Sequence, residues 1–150
     1  NTLEIGVNSR LDSLQAAILH TKLPHLDADN VRRAAIASRF NHAFAGLPLT
    51  VPAACPEKTH VYHLYVVRCE QRDRLSAHLA ADQIGSAVHY PVPVHQQHGY
   101  AERVIVTGGG LPVTTGLADK ILSLPIYPEL SDAEVDLVTT SIRRYYAPPR

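Results

Sequence analysis

Apolar positions in this chain fall into helical and extended periods separated by proline and glycine. Leu11, Leu14, Ala17 and Ile18 recur at helical spacing, which predicts an opening helix with one face set against something apolar. Pro24 interrupts it, because proline removes a backbone donor and restricts the residue before it. A second helix is expected from about Asp27 to Ala45, with Val31, Ala34, Ala35, Ser38 and the Phe40–Phe44 end forming its packed face. Arg32, Arg33 and Arg39 lie off that face, and Gly46 stops the helix. The three prolines between Leu47 and Lys58 make an extended connection.

His60 to Cys69 is the strongest strand signal, apolar or aromatic on both alternating faces, which predicts a central strand covered on both sides. A helix from about Gln71 to Asp82 follows, with Leu75 and Leu79 one turn apart, then a short strand from Ser86 to Tyr90. Pro112 opens a further helix running to about Ile121, and Leu122 to Ile126 reads as a buried strand closed by Pro128. Ser131 and Glu134 form a capping box for a last helix that buries Val135, Val138, Ile142 and Tyr145. The fold class that follows is α+β, helices packed on a short β-sheet.

Two stretches carry candidate chemistry. In Gly6-Val7-Asn8-Ser9-Arg10-Leu11-Asp12, a turn becomes a helix, with Ser9 as N-cap and Asp12 completing a Ser-x-x-Asp box. Asn8 and Arg10 bring amide and guanidinium donors to a positive helix end, a combination suited to a phosphate. An ordinary capped helix with a surface arginine explains the same residues. In the second stretch, Pro91 and Pro93 stiffen the loop that presents His89, Tyr90 and His95, and such a loop suits a pyrophosphate or sugar hydroxyls. A histidine metal site at His89, His95 and His98 competes with that reading. The prolines keep these residues off one helical face, and no Asp, Glu or Cys stands nearby at zinc-ligand spacing. A proline-rich loop with solvent-facing histidines is the plain alternative.

Composition narrows the class. The 150 residues amount to one domain, and equal numbers of acidic and basic residues give no bulk attraction to nucleic acid or an anionic membrane. Cys55 and Cys69 sit outside any metal or redox spacing, which fits reduced, structural cysteines in a cytoplasmic protein. No membrane-span run or signal-peptide pattern is present. Gly108-Gly109-Gly110 lacks the Lys and Ser/Thr of a phosphate loop and reads as a flexible connection. The chain contains no methionine and arrives at the Gly6 turn without a preamble, so a fragment of a longer polypeptide is expected.

Three blocks resemble one family in the same order: Gly6-Val7-Asn8-Ser9-Arg10-Leu11-Asp12 with Gln15-Ala16-Ala17-Ile18-Leu19, Val88 to His95, and Ile121 to Leu130. The family is that of the DegT/DnrJ/EryC1/StrS aminotransferases, pyridoxal-phosphate (PLP) enzymes acting mostly on nucleotide-linked keto sugars. The resemblance spans nearly the whole chain but only the C-terminal portion of the family's length. It implies the small C-terminal domain of a fold-type I, aspartate aminotransferase-like enzyme, with residues 1–20 joining the large domain and 21–150 forming the small one. It implies a homodimer whose Asn8 reaches the cofactor phosphate of the neighbouring subunit, with Arg10 close by. His89, Tyr90 and His95 would line the nucleotide-sugar pocket, and an amino acid would donate the amine.

PLP transamination needs a lysine bonded to the cofactor. Lys22, Lys58 and Lys120 are the chain's only lysines, and none stands in a matching motif. No catalytic residue is therefore assigned, and the chain alone is expected to be inactive. Family members usually carry a glutamate where Thr115 stands, so any role of that carboxylate is missing here. A dehydratase relative and a non-catalytic dimerisation module pairing through the Asp27–Ala45 helix are the alternative readings.

Overall fold

The computed structural model describes residues 10–53, 55, 57–100, 103–106 and 108–148. Its helices are α1 (Ser13–Lys22), α2 (Leu26–Ala43), α3 (Arg72–Ala81), α4 (Pro112–Ala118) and α5 (Asp132–Tyr145), and its strands are β1 (Tyr65–Arg68) and β2 (Ile121–Leu124). The two strands pair antiparallel, Tyr65 opposite Leu124 and Arg68 opposite Ile121. A single bridge extends the sheet on each side, Thr50 to Arg68 and Ala87 to Ser123. The expected strand at 86–90 is thus reduced to one bridging residue.

The core forms where three helices meet one face of this sheet. Ile36, Ala37, Phe40 and Phe44 recur on one side of α2, and Leu75 and Leu79 of α3 and Val135, Val138 and Ile142 of α5 complete the layer. Phe40 stacks on Phe44 at 5.6 Å and meets the Tyr65 ring edge-on at 5.1 Å. Such aromatic pairs contribute about 0.5–1.5 kcal/mol beyond their buried area. The Tyr65 hydroxyl satisfies itself by donating to Asn41 Oδ1 at 2.6 Å, and burial pushes that phenol's pKa far above its ordinary value.

The Phe40–Phe44 end of α2 packs as expected, but the first part of the expected face does not. Val31 is 71% exposed, and Ala35 and Ser38 also face outward, whereas Ile36 is fully buried. The larger apolar side chains win the core because burying them removes more area from water. The arginines expected off the packed face instead tie α2 to its neighbours. Arg32 donates to the Leu130 carbonyl at 2.6 Å and pairs with Asp132 at 2.8 Å, and Arg39 pairs with Asp136 at 2.6 Å.

β1 is shorter than the expected 60–69 strand, and only one of its faces is buried: Tyr65 and Val67 point into the core while Arg68 is exposed. Tyr62 adopts a φ of 48°, a left-handed conformation that ends extended pairing. The last helix follows expectation closely. Ser131 Oγ accepts from Glu134 N, and the Glu134 carboxylate accepts from Ser131 N at 2.8 Å, the reciprocal capping box.

Pro24 sits in a 3-10 turn, Leu23–His25, that joins α1 to α2. α1 buries none of its residues, and Leu14, Ile18, Leu19 and Leu23 are all exposed. No helix among the described residues is long and apolar enough to cross a membrane.

Candidate functional site

The loop from His89 to Tyr100 lies against the segment that runs through α4 into β2, and two side-chain bonds hold it there. Ser123 occupies the second half of β2, and its backbone exchanges both hydrogen bonds with Ala87 at 3.1 and 2.7 Å. That bridge delivers the next residues of the loop to the exposed side of the sheet. His89 Nδ1 then meets Ser123 Oγ at 2.9 Å. Further along, His95 Nε2 lies 3.4 Å from Thr115 Oγ1 of α4. Thr115 thereby links α4 to the loop.

Between these points Tyr90 stands 73% exposed, its ring edge-on to His89 at a centroid distance of 5.7 Å. The His89–Tyr90 peptide bond is cis. Pro93 leads into a 3-10 turn, Val94–Gln96, whose backbone bonds (Gln96 N to Pro93 O, Gln97 N to Val94 O) keep His95 directed at α4. A cleft of about 370 Å³ opens beside His89, with His63, Ser86 and Ser123 supplying polar groups and Leu64 and Pro125 an apolar wall. Apolar walls with a few convergent polar groups are what small-molecule sites present.

His89, Tyr90 and His95 therefore lie on one loop, but they are not equivalent. His89 is anchored and borders the cleft, Tyr90 is outward and adjacent, and His95 is turned toward α4. His98 is exposed, and among the described residues no three His, Cys, Asp or Glu side chains gather as a metal site. Sequence reasoning missed Ser123 and His63. Ser123 carried a signal, being a lone hydroxyl within the apolar run Ile121 to Ile126, because a polar group buried in a strand needs a partner.

The other candidate stretch falls mostly outside the described residues: Asn8 and Ser9 lie there, and Arg10 is exposed at the head of α1. The cap of α1 differs from the one expected. Asp12 is the N-cap, its carboxylate accepting from Gln15 N at 2.8 Å, while Gln15 Oε1 accepts from Leu11 N at 2.8 Å. Asp12 thus takes an N–H that the sequence offered to a phosphate, and adds a negative charge at the positive end of the helix dipole.

The three lysines lie far apart in the chain and in different surroundings. Lys120 Nζ is held by Glu70 at 2.8 Å, Lys58 is exposed in the connection before β1, and Lys22 borders a groove walled by Leu19, Leu23 and Leu26. None is brought together with both a carboxylate and an aromatic ring in the cleft beside His89.

The DegT/DnrJ/EryC1/StrS aminotransferase family model matches residues 1–143. The chain belongs to this family. It is 43% identical over 141 residues to the dTDP-3-amino-3,4,6-trideoxy-alpha-D-glucose transaminase of Streptomyces venezuelae, covering 93% of this chain and 37% of that protein. It is 40% identical over 140 residues to the dTDP-3-amino-3,6-dideoxy-alpha-D-galactopyranose transaminase of Aneurinibacillus thermoaerophilus, covering 93% and 38%. The crystal structure of S. venezuelae DesV in complex with a ketimine intermediate superposes with a TM-score of 0.86 at 41% identity, over 97% of this chain and 39% of that one. The chain therefore spans well under half the length of the family members it matches, and within that span its fold is theirs.

Proposed function

We propose that this chain is the C-terminal domain of a PLP-dependent aminotransferase that aminates a nucleotide-linked keto sugar, and that it supplies part of the substrate wall. The observation that carries this reading is the His89–Ser123 anchor, which fixes an imidazole beside a cleft and an exposed phenol in a chain of this family. A fixed imidazole and a phenol together offer hydrogen bonds to phosphate or sugar oxygens at little entropic cost. The named sugar substrates of the family members at 43% and 40% identity support the substrate class.

In this reading Asn8 and Arg10 contact the phosphate of PLP bound at the neighbouring subunit of a homodimer, and His89, Tyr90 and His95 face the nucleotide sugar. PLP supplies the electron sink when bound, while the residues described here bind and orient substrate. The covalent lysine belongs to the remainder of the intact protein, since Lys22, Lys58 and Lys120 do not converge on the cleft.

The test is a transamination assay on the intact protein with PLP, an amino-acid donor and a dTDP- or UDP-linked keto sugar, run beside the 150-residue chain alone. Nucleotide amino sugar should form with the intact protein only. Product from the isolated chain, or none from the intact protein with either nucleotide, would overturn the proposal.

The reading as a dimerisation module draws on a different observation. Pairing was expected through the Asp27–Ala45 helix, but α1 exposes Leu14, Ile18 and Leu19 and buries none of its residues. Any self-association of the chain should therefore weaken on Ile18→Glu, measured by sedimentation, and persist on Ser38→Glu.

A further inference from the structure

We infer that Ser123 is a positioning residue that sets which nitrogen of His89 carries the proton, so that the cleft is offered an N–H donor at Nε2. This rests on the proposed substrate wall for its biological meaning but not for its test. Ser123 is buried, 4% exposed, in the middle of the β2 pairing. Its backbone N–H and carbonyl are both spent on Ala87. Among the described residues its hydroxyl has one hydrogen-bond partner, His89 Nδ1 at 2.9 Å.

Two arrangements satisfy that distance. If Nδ1–H donates to Ser123 Oγ, the serine proton is left without a protein acceptor at a residue only 4% exposed. If Ser123 O–H donates to Nδ1, every group is used: Nδ1 accepts, the hydroxyl proton is satisfied, and the ring hydrogen must sit on Nε2. Buried donors without acceptors are strongly disfavoured, so the second arrangement prevails. His89 itself is exposed, and Nε2 is the ring nitrogen left for a ligand.

The consequence is a statement about ligand chemistry. A ring locked as Nε2–H recognises an oxygen acceptor, such as a phosphoryl, carbonyl or sugar oxygen, and discriminates against a ligand that presents an N–H or O–H donor with no lone pair directed at the ring. Donor and acceptor roles at histidine are fixed by the bond that the other nitrogen makes. Ser123, which sequence patterning placed simply inside a buried strand, thereby becomes a specificity residue acting through His89.

The test is long-range ¹H–¹⁵N NMR of the ¹⁵N-histidine-labelled chain, recorded at alkaline pH on the neutral ring. The His89 signal is identified by its loss in His89→Gln. The expected result is a single Nε2–H tautomer in the wild type, retained in Ser123→Thr and relaxed to a mixture in Ser123→Ala. A wild-type His89 protonated at Nδ1, or already a mixture, overturns the inference even if Ser123→Ala fails to fold. An unchanged tautomer in a folded Ser123→Ala chain does the same. Because neither substrate nor PLP is present, failure here is separable from failure of the aminotransferase reading.

Discussion

Asp82, just past the end of α3, accepts a hydrogen bond from the Ser141 hydroxyl at 2.5 Å and so ties α3 to the buried side of α5. Arg144, one turn further on, pairs with the same carboxylate oxygen. The Ser141 bond, reinforced by Arg144, holds the Asp82 carboxyl below its ordinary range. A carboxylate depressed in the folded state stabilises above its unfolded pKa, and that contribution is lost as pH falls through the folded value. Thermal stability should therefore drop on acidification below about pH 4. Asp82→Asn should lower the melting temperature at neutral pH and make the acid decline shallower. Some decline should remain, because Asp132 is depressed by its hydrogen bond and charge pairing with Arg32, and Glu134 by its bond from Ser131. An acid limb as steep in Asp82→Asn as in the wild type would contradict this.

The packing of α2 gives a sharp contrast. Phe40→Ala removes a fully buried ring that touches both Phe44 and Tyr65 and should cost about 3–5 kcal/mol in denaturant unfolding. Val31→Ala, at a position the sequence pattern placed on the packed face and the fold leaves outside, should change stability by only about 0.5 kcal/mol. Equal costs would mean that Val31 is buried after all.

The capping box isolates a local contribution. Ser131→Ala removes the acceptor for Glu134 N and should cost about 1 kcal/mol, with the core otherwise intact. Chemical denaturation with an unchanged slope would register it.

The two cysteines should react differently. Cys69 is buried, and burial pushes its thiol pKa up, with the Tyr146 hydrogen bond only partly opposing that shift. Cys55 is exposed. A thiol reagent should label one cysteine quickly in the folded chain and the second only on unfolding, and Cys55→Ser should abolish the fast phase. A fast phase surviving in Cys55→Ser would place Cys69 at the surface.

Local signals that close within a few residues were legible in the sequence. The Ser131–Glu134 box, the Leu75–Leu79 face and the Val135–Val138–Ile142 stripe all appear where spacing put them. What was not legible depended on partners distant in the chain. On α2 the Phe40–Phe44 end was legible, but packing against the core buried Ile36 and left Val31 outside. The 60–69 run lost its first half to a left-handed Tyr62, which no composition signal marks. At the site, the loop residues His89, Tyr90 and His95 were legible as a group. That Ser123 and Thr115 hold two of them was not, since those bonds span 34 and 20 residues. At the start of the chain, the acidic cap belongs to Asp12, where Ser9 had been expected.

If the His89 loop forms part of the substrate wall, as proposed, steady-state kinetics of His89→Ala in the intact protein will register it. With a nucleotide-linked keto sugar as varied substrate, KM should rise about tenfold, the worth of one lost hydrogen bond, with kcat little changed. The amino-acid half-reaction should be unaffected. A KM for the nucleotide sugar equal to that of the wild type would contradict the account.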